Sequence, residues 1–485
     1  MADVATRSAA VEAMLPDWEL AAALLGGTRA MRAAGKAYLP QWPKEPDDAY
    51  AKRLGTAVLF PAYKRTVETL TGKPFSKPIT VGEDVPEDFK PWLADIDSEG
   101  RNLDAFAADM MELALGYGLG GILVDYPDAT QAPATAAGVR TQADEQRAGL
   151  RPYWVQIKPH QILGWMAKRE GANWVIVQLR LMECVEEPDG EFGTKEVDQV
   201  RVLEPGRWRT FREKESAAGK KEWVQHAAGV TTLDFVPFVP VYGKRVGFMR
   251  GVAPLIEVAH LNVAHWQSAS DQQTILHVAR VPILVATNVQ DGTNAQGEVI
   301  PWEMTIGASS ATKINGQDAS LSYCEHSGAA IGAGKDDLDA LEERMRQAGA
   351  ELLVIDTKMT ATQVHTENAV GMCALQRITL ALQDALNLAL DYTAKWVRRA
   401  KGGGTVKLFM DFGAATLQEA SAQLLLAANQ AGKLSDETLH SEFQRRGILS
   451  ADSDWQTERD RIAEQGPALG TLPDPTGAAA GTGAA

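Results

Sequence analysis

Apolar residues recur along this chain with two different periods, which predict helices in some regions and strands in others. A spacing of three and four residues runs through 48–70, 102–115 and 362–398, and it predicts helices with one buried face. Between 153 and 242 several runs alternate, as in 175–182, where odd-numbered valines and leucines alternate with Ile, Gln, Arg and Met. Such alternation is typical of a half-buried β meander, so the pattern predicts an α+β protein.

A helix predicted over 253–280 has an unusual polar centre. Leu255, Val258 and Leu261 give it an apolar stripe at the start, whereas 267–273 reads QSASDQQ and has almost no apolar face. Packing of an apolar face is what holds most helices in a fold. We therefore expect this helix to be buried against other copies of the chain.

A second helix, predicted over 335–353, is strongly acidic. Residues 335–351 carry six carboxylates against one lysine and two arginines, and three aspartates lie near the N-terminal end, where they suit the helix dipole. Taken alone, this acidity describes an ordinary solvated face. The segment between the two helices, 281–334, predicts a small β module with a candidate turn at 290–298.

Composition narrows the class of protein. The 485 residues carry a net charge of −15, which argues against a protein that binds DNA by neutralising phosphates with a basic face. The same charge is compatible with a protein that DNA must slide past. Three scattered cysteines show no pairing pattern and predict a reducing, cytosolic setting. No apolar stretch approaches the roughly 20 residues of a membrane span, so no membrane partner is predicted.

One motif points to an enzyme, the sequence GYGLGG at 116–121, which is a literal GxGxxG followed by Asp125. A dinucleotide fingerprint needs the order strand, glycines, helix, so that the pyrophosphate meets a helix N-terminus. The predicted order here is helix, glycines, strand, which favours a helix C-cap and a tight packing turn. A cytosolic nucleotide-binding enzyme using these glycines is the alternative function.

No motif predicts a metal or a cofactor. His260 and His265 lie five residues apart, off the spacing of a zinc-binding helix, and the sequence has no HExxH or CxxC. It also lacks the GxSxG and P-loop motifs. The sequence therefore predicts a protein that is not an enzyme and holds neither a metal nor a cofactor.

Four segments, taken in order, carry a resemblance to a known family. They are GVAPLIEVAHLNVAHWQSASDQQTILHVARVPILV (251–285), KMTATQVHTENAVGMCALQRITLALQDALNLALDYTAKWV (358–397), VKLFMDF (406–412) and LLLAANQAGKLSDETLHSEFQRRGIL (424–449). In this arrangement the chain resembles the portal proteins of tailed bacteriophages, which form the head-to-tail vertex ring. The resemblance covers about residues 48–465.

The resemblance implies a portal fold with a division of the chain into nine parts. They are an N-terminal arm (1–47), a wing of helices and β meander (48–252), stem helix 1 (253–280), a small β clip (281–334), stem helix 2 (335–353), a tunnel loop (354–361), a long wing helix and strand (362–415), crown-side helices (416–465) and a disordered tail (466–485).

The resemblance also implies a function and partners. The chain would form a ring, usually of twelve copies, at one capsid vertex of the virion, after assembly in the host cytoplasm. The ring would pass double-stranded DNA non-specifically during packaging and ejection. Its partners would be the terminase large subunit, the head-tail adaptor and the major capsid or scaffolding protein. Another virion connector ring is a further alternative, although connectors are usually shorter and lack the long helix at 362–398.

Three groups of residues would carry this function. The tunnel loop would present Thr357, Lys358, Met359 and Thr360, with Lys358 as the phosphate contact. The other two groups are the channel lining of the stem and the partner-docking residues of the clip. The stem lining would be Gln267, Asp271, Lys335, Asp339, Glu342 and Arg346, and the clip residues Asp291, Asn294 and Glu298.

Overall fold

The computed structural model divides the chain into two compact units, residues 1–408 and residues 409–485. Strand pairings among the described residues are antiparallel, and helices are combined with them without a parallel crossover. The predicted α+β class is confirmed. The described residues are 3–127, 144, 147–215, 221–279, 283–304, 314, 316–324, 329–353, 372–411, 425–445, 448–450 and 453–464.

The regular elements are numbered here in chain order. The helices are α1 (Ala9–Leu25), α2 (Gly27–Ala34), α3 (Asp47–Thr56), α4 (Ala62–Thr71), α5 (Lys90–Leu93), α6 (Leu103–Tyr117), α7 (Ile256–Ala279), α8 (Ala329–Ala350), α9 (Ala374–Trp396), α10 (Asp436–Arg445) and α11 (Trp455–Glu464). The strands are β1 (Thr80–Val81), β2 (Leu119–Asp125), β3 (Tyr153–Ile157), β4 (Ile162–Glu170), β5 (Asn173–Asp189), β6 (Gly193–Glu204), β7 (Arg207–Glu215), β8 (Lys221–Val230), β9 (Phe238–Tyr242), β10 (Lys244–Gly247), β11 (Arg250–Val252), β12 (Ile283–Thr287), β13 (Gly292–Thr293), β14 (Val299–Ile300), β15 (Ser320–Cys324) and β16 (Val406–Lys407).

The centre of the first unit is β2, which is buried along its whole length and lies between β3 and β9 in a three-stranded sheet. Helix α6 runs directly into it. Asn102 caps the start of α6 by accepting a hydrogen bond from the Ala105 amide at 2.9 Å, and Gly118 ends the helix in the left-handed conformation (φ 79°). The predicted helix and buried strand of this region are confirmed.

Helix α9 packs on the same sheet through an apolar stripe. Leu375, Leu382 and Leu386 are completely buried, at the three- and four-residue steps that the sequence predicts. The indole of Trp396 fixes the end of the helix by donating to the Val124 carbonyl of β2 at 2.9 Å. Cys373 is extended and caps the helix, which begins at Ala374, so the helix predicted over 362–398 is wrong at 372 and 373. Its predicted start at Thr362 lies outside the described residues.

The N-terminal region, for which the resemblance implies an arm, contains two helices that pack on the core. Helices α1 and α2 cover most of residues 9–34, and Ser8 caps α1 with its hydroxyl. Val11, Trp18 and Leu24 of α1 are at most 1% exposed, and Val11 and Trp18 lie in a hydrophobic core shared with β2 and β5. This part of the expected arm therefore belongs to the main core.

Residues 48–70, predicted as one helix, form two. Helix α3 ends at Thr56 and α4 starts at Ala62, so the continuous prediction is wrong. Pro61 explains the break, because proline lacks the amide hydrogen that a helix interior needs and disfavours helical geometry at Phe60 before it. The hydroxyl of Thr28 and the guanidinium of Arg32 bond to the connecting residues.

The predicted meander is the five-stranded sheet β4-β5-β6-β7-β8. Its alternation differs from the prediction at one point, because β5 bulges at Val177. Met166 pairs with Gln178 and the next residue pairs with Ile176, so Val177 is skipped. The bulge moves Ile176 onto the same buried side as Leu179, and the expected odd–even division fails there.

The predicted strand at VKLFMDF is shorter than expected. Only Val406 and Lys407 pair, with β1. The amide of Val406 donates to the side chain of Asn387 at 2.7 Å, and the amide of Leu408 donates to Gln383 at 2.9 Å. Side chains of α9 thus take backbone groups that a longer strand pair would have used.

The second unit contains α10 and α11, and residues 425–430 are also helical. Within it, His440 Nε2 lies 2.9 Å from the Ser453 hydroxyl, and its ring packs against Trp455. Both helices lie within 416–465, where helices are expected. The disordered tail expected at 466–485 lies outside the described residues.

Candidate functional site

Helices α7 and α8 form an antiparallel hairpin. His265 Nε2 of α7 lies 3.5 Å from Glu342 Oε1 of α8, and the Ser268 hydroxyl donates to Asp337 at 2.7 Å. Gln272 Nε2, one turn further along, donates to the Ile331 carbonyl at 2.9 Å. As the residue number rises along α7, the residue number of the partner on α8 falls, so the two helices run antiparallel. The two helices predicted over 253–280 and 335–353 are therefore present, with α8 starting six residues before the predicted Lys335. Their assignment as a stem stays a prediction.

Several polar side chains at and near the centre of α7 find partners inside one chain, whereas the buried Ser270 hydroxyl has none among the described residues. Burial of this helix against other copies stays a prediction. Asn262 is fully buried, accepts from the Tyr63 amide at 2.9 Å and donates to the Phe60 carbonyl at 2.9 Å. Gln267 Nε2 donates to the Tyr38 carbonyl at 3.0 Å. A buried polar group is tolerated when its hydrogen bonds are made, and these bonds replace the missing apolar face.

His265 is the one ionisable side chain buried between α7, α8 and the segment before α4 in the described structure. Its ring packs on Phe60 at a centroid distance of 5.1 Å, with Glu342 on the other side. Burial lowers the pKa of His265, and the charges of Glu342 and Asp337 oppose that effect. The folded hairpin therefore favours the neutral imidazole.

The six predicted channel-lining residues divide into two groups. Gln267 and Glu342 make the contacts within the chain described above. Lys335, Asp339 and Arg346 are exposed on α8, where Arg346 pairs with Glu343 one turn earlier. The side chain of Asp271 is half exposed and lies 4.0 Å from Arg53, and burial raises its pKa.

The predicted clip is a β module between the two helices, with β12 paired to β15 and β13 paired to β14. Its docking candidates shape the β13–β14 turn. Asn294 accepts from the Gln296 and Glu298 amides at 3.0 and 2.8 Å, and donates to the Glu298 carboxylate at 2.8 Å. Asp291 accepts from the Trp302 amide at 3.0 Å. The turn predicted at 290–298 is confirmed, and these side chains stabilise it.

Beside this turn lies an apolar pair that the sequence pattern did not single out. Val299 and Ile300 are 67% and 52% exposed. The sequence signal that could have found this pair was two adjacent β-branched residues directly after a turn rich in Asn, Gln and Gly. The four predicted tunnel-loop residues, Thr357 to Thr360, lie outside the described residues.

The glycine cluster at 116–121 is filled by packing. A Cβ at Gly118 would overlap the backbone of Val252, and one at Gly121 would overlap the ring of Phe238. The order is helix α6, glycines, strand β2, as the sequence predicts. A pyrophosphate has neither the helix N-terminus nor the open space that a dinucleotide site needs, so these observations disfavour the nucleotide-binding alternative.

Asp125, which follows the glycines, belongs to a buried ion pair. Arg201 of β6 contacts both of its carboxylate oxygens, at 2.6 and 3.0 Å. The charges of Asp125 and Glu183 outweigh the cost of burial and raise the pKa of Arg201 further. This pair joins the central sheet to the meander, which is a structural role rather than ribose recognition.

The described ranges contain neither a metal cluster nor a membrane span. No group of three or more His, Cys, Asp or Glu side chains there is placed to hold a metal ion. Within those ranges, too, none of the helices combines the length and the hydropathy that crossing a bilayer requires.

Residues 254–397 match a family described as Domain of unknown function (DUF4055). The match runs from the start of α7 through α8 to the end of α9. No curated protein matches the chain.

Among the solved structures that resemble the chain are chains of gene transfer agent particles. A chain of "Virion of native gene transfer agent (GTA) particle" aligns at 11% identity and a TM-score of 0.39, covering 85% of this chain and 97% of that one. A chain of the neck of the empty particle, computed with C6 symmetry, aligns at 13% identity and a TM-score of 0.39, covering 87% of this chain and 98% of that one. A chain of the neck of the native particle, computed with C12 symmetry, aligns at 12% identity and a TM-score of 0.38, covering 80% of this chain and 89% of that one. TM-scores below 0.5 do not establish a shared fold.

Proposed function

We propose that this chain is a portal-type subunit of a phage-like particle, which assembles into a ring around a channel for double-stranded DNA. The observation that carries the proposal is the antiparallel α7–α8 hairpin with a small β module at its turn. The hairpin would be the stem, the module the clip, and the core around β2, β5 and α9 the wing.

The charge of the hairpin supports a conduit rather than a DNA-binding surface. Asp336, Asp339 and Glu343 are exposed on α8, with Lys335 before them and Arg346 after them. Strong basic contacts would hold phosphates and slow translocation, whereas an acidic wall with sparse cations repels them weakly. The proposed lining residues are Gln267, Asp271, Lys335, Asp339, Glu342 and Arg346. Lys358 with its tunnel-loop neighbours is the proposed phosphate contact.

The proposed setting is the virion, at one capsid vertex, after assembly in the host cytoplasm. The β13–β14 turn and the exposed Val299–Ile300 pair would face outward and dock the terminase large subunit and later the head-tail adaptor. Other surfaces would meet the major capsid or scaffolding protein. A ring of twelve copies is proposed, with contacts that join one face of a subunit to a different face of the next.

Negative-stain microscopy of the purified chain tests the ring directly. We expect closed rings with an open centre. A uniform monomer at micromolar concentration would contradict the proposal.

The conduit is tested by reversing charge on the hairpin. Asp336→Lys combined with Asp339→Lys should leave the rings intact and increase their retention of double-stranded DNA at low salt, because each new cation adds a phosphate contact. Asp48→Lys, on an exposed residue of α3, is the control and should change retention less. Equal retention by all three proteins would show that α8 does not face the DNA.

A further inference from the structure

The first unit contains an open groove of about 1330 Å³ between the β4–β5 turn, the β9–β10 segment and α9. Aromatic side chains line it, and Trp174 at its mouth is 52% exposed while stacking on Phe248. Leu388 of α9 is also in the lining and is 39% exposed. Exposed apolar surface of this kind in a concave site marks a place where another molecule binds.

The groove has a positive rim. Five basic side chains and three carboxylates line it, and two of the cations lie over its aromatic rings. Lys395 Nζ is 4.6 Å from the Phe235 ring centre, and the Arg245 guanidinium is 5.1 Å from that of Tyr242. The five basic residues are Lys168, Lys244, Arg245, Arg377 and Lys395.

A protruding ribbon has the opposite character. Strands β5 and β6 continue past Leu181 and Gln199, where pairing with β4 and β7 stops, so the backbones of residues 184–198 pair only with each other among the described strands. The side chain of Arg212 of β7 contacts Glu187 near the base. We call residues 183–198 the ribbon. This ribbon carries seven carboxylates and one lysine. At its tip Phe192 is 94% exposed. A two-stranded hairpin without a packed face is marginally stable in water, which favours a partner for it.

The ribbon and the groove of one chain cannot meet. Trp174 lies at one end of β5 and the ribbon tip at the other, and a strand of 17 residues spans roughly 50 Å. Complementary surfaces at opposite ends of a rigid element join one copy to the next in the same direction. Such head-to-tail contacts produce a closed ring when the rotation between copies closes.

We propose that Phe192 and the acidic ribbon of one copy bind in the aromatic, basic groove of the next copy. The inference rests on the proposed ring and names one contact that builds it. Phe192 would enter the apolar lining, and Asp189 and Glu191 beside it would face the basic rim. Burying an exposed Phe side chain changes association by about 10- to 100-fold, so its loss should be visible in assembly.

The first test is the substitution Phe192→Asp, with Val230→Asp as the matched control. Val230 is 87% exposed in the same sheet and lies outside both surfaces. In light scattering, the chain concentration needed for rings should rise about 10- to 100-fold for Phe192→Asp and stay near the wild-type value for Val230→Asp. Charge reversal at Arg245→Glu should also weaken assembly, and combining it with Glu191→Lys should restore part of it.

The second test is a disulfide between copies. Phe192→Cys is combined with Leu388→Cys in a Cys184→Ser background, because Cys184 is exposed on the ribbon. Oxidation should give a ladder of dimers, trimers and larger species on a denaturing gel, and neither single cysteine should give that ladder.

The outcomes separate this contact from the proposed function. Two results together would overturn the contact and leave the portal proposal standing. They are normal ring formation by Phe192→Asp and the absence of a ladder from the double-cysteine protein. Alkylation of the cysteine in Leu388→Cys can also be compared in proteins with the native Phe192 and with Phe192→Asp. Equal protection of that cysteine in the two proteins would overturn the contact, since another segment or protein would then fill the groove. A ladder without closed rings would support the contact and contradict the portal ring.

Discussion

Helices α7 and α9 are nearly equal in length, at 24 and 23 residues, but they are buried by different means. Helix α9 presents a stripe of leucines, and its buried Thr379 and Thr393 hydroxyls bond to the carbonyls one turn earlier in the same helix. Helix α7 buries polar side chains that bond to other segments. Apolar burial depends on area and tolerates small shifts, whereas α7 is held by particular donor–acceptor pairs.

The largest expected effect tests the apolar side of this comparison. Leu382→Ala removes a fully buried side chain from α9 and should lower the free energy of unfolding by about 2–5 kcal/mol, because a cavity is left behind. Chemical denaturation measures it. Leu388→Ala, on the exposed face of the same helix, should cost about 0.5 kcal/mol or less. Similar losses in the free energy of unfolding for Leu382→Ala and Leu388→Ala would mean that the buried leucine stripe does not hold α9 in the fold.

A smaller loss is expected for the polar side. Asn262→Ala should lower the free energy of unfolding by about 2–3 kcal/mol, because the Tyr63 amide and Phe60 carbonyl lose their partner while still buried. The control is His260→Ala, an exposed position on α7. A change at Asn262 no larger than the control would show that water replaces the side chain.

The next prediction concerns a proposed channel residue that also holds the fold. Gln267→Ala should cost about 1 kcal/mol in the free energy of unfolding of unassembled protein, because it breaks the bond to Tyr38. Gln273→Ala, exposed one to two turns later, should cost less. If neither Gln267→Ala nor Gln273→Ala changed the free energy of unfolding, and only rings of Gln267→Ala retained DNA differently, Gln267 would act in the channel and not in holding the fold.

The smallest effect is a pH dependence. Burial lowers the pKa of His265, so the folded state binds its proton less readily than the unfolded state. The stabilisation is present above the ordinary imidazole pKa and is lost as the pH falls through the lower folded value. Thermal unfolding midpoints followed from about pH 8 to pH 5 should fall less steeply for His265→Gln than for the wild type. Parallel curves would contradict the prediction.

The sequence predicted best where local signals and tertiary packing agree. The apolar spacing over 102–115 and the glycines after it predicted α6 within two residues, and the Asn and Gly residues near 294 predicted the turn at 290–298. Prediction failed where one residue decides the geometry. Pro61 divides the first wing helix, and the bulge at Val177 moves Ile176 to the buried side; register of this kind depends on pairing with β4.

The candidate site was predicted less completely than the fold. The two helices 253–280 and 335–353 were found, but the partners of Asn262 and Gln267 lie within 38–63, more than 190 residues away in the chain. Hydrophobic periodicity does not encode such polar pairings, so the helix was expected to need other copies. The exposed Phe192 was passed over for a similar reason, since a single aromatic in an acidic turn has no period.

The antiparallel course of α7 and α8 has a consequence for how such a chain can change over evolution. The chain leaves the body at Ile256 and returns at Ala350, with the two helices side by side. Lengthening, shortening or exchanging residues 281–328 therefore leaves the contacts of Asn262, His265 and Gln267 in place. The outer module can follow a changing partner while selection holds the base of the hairpin constant.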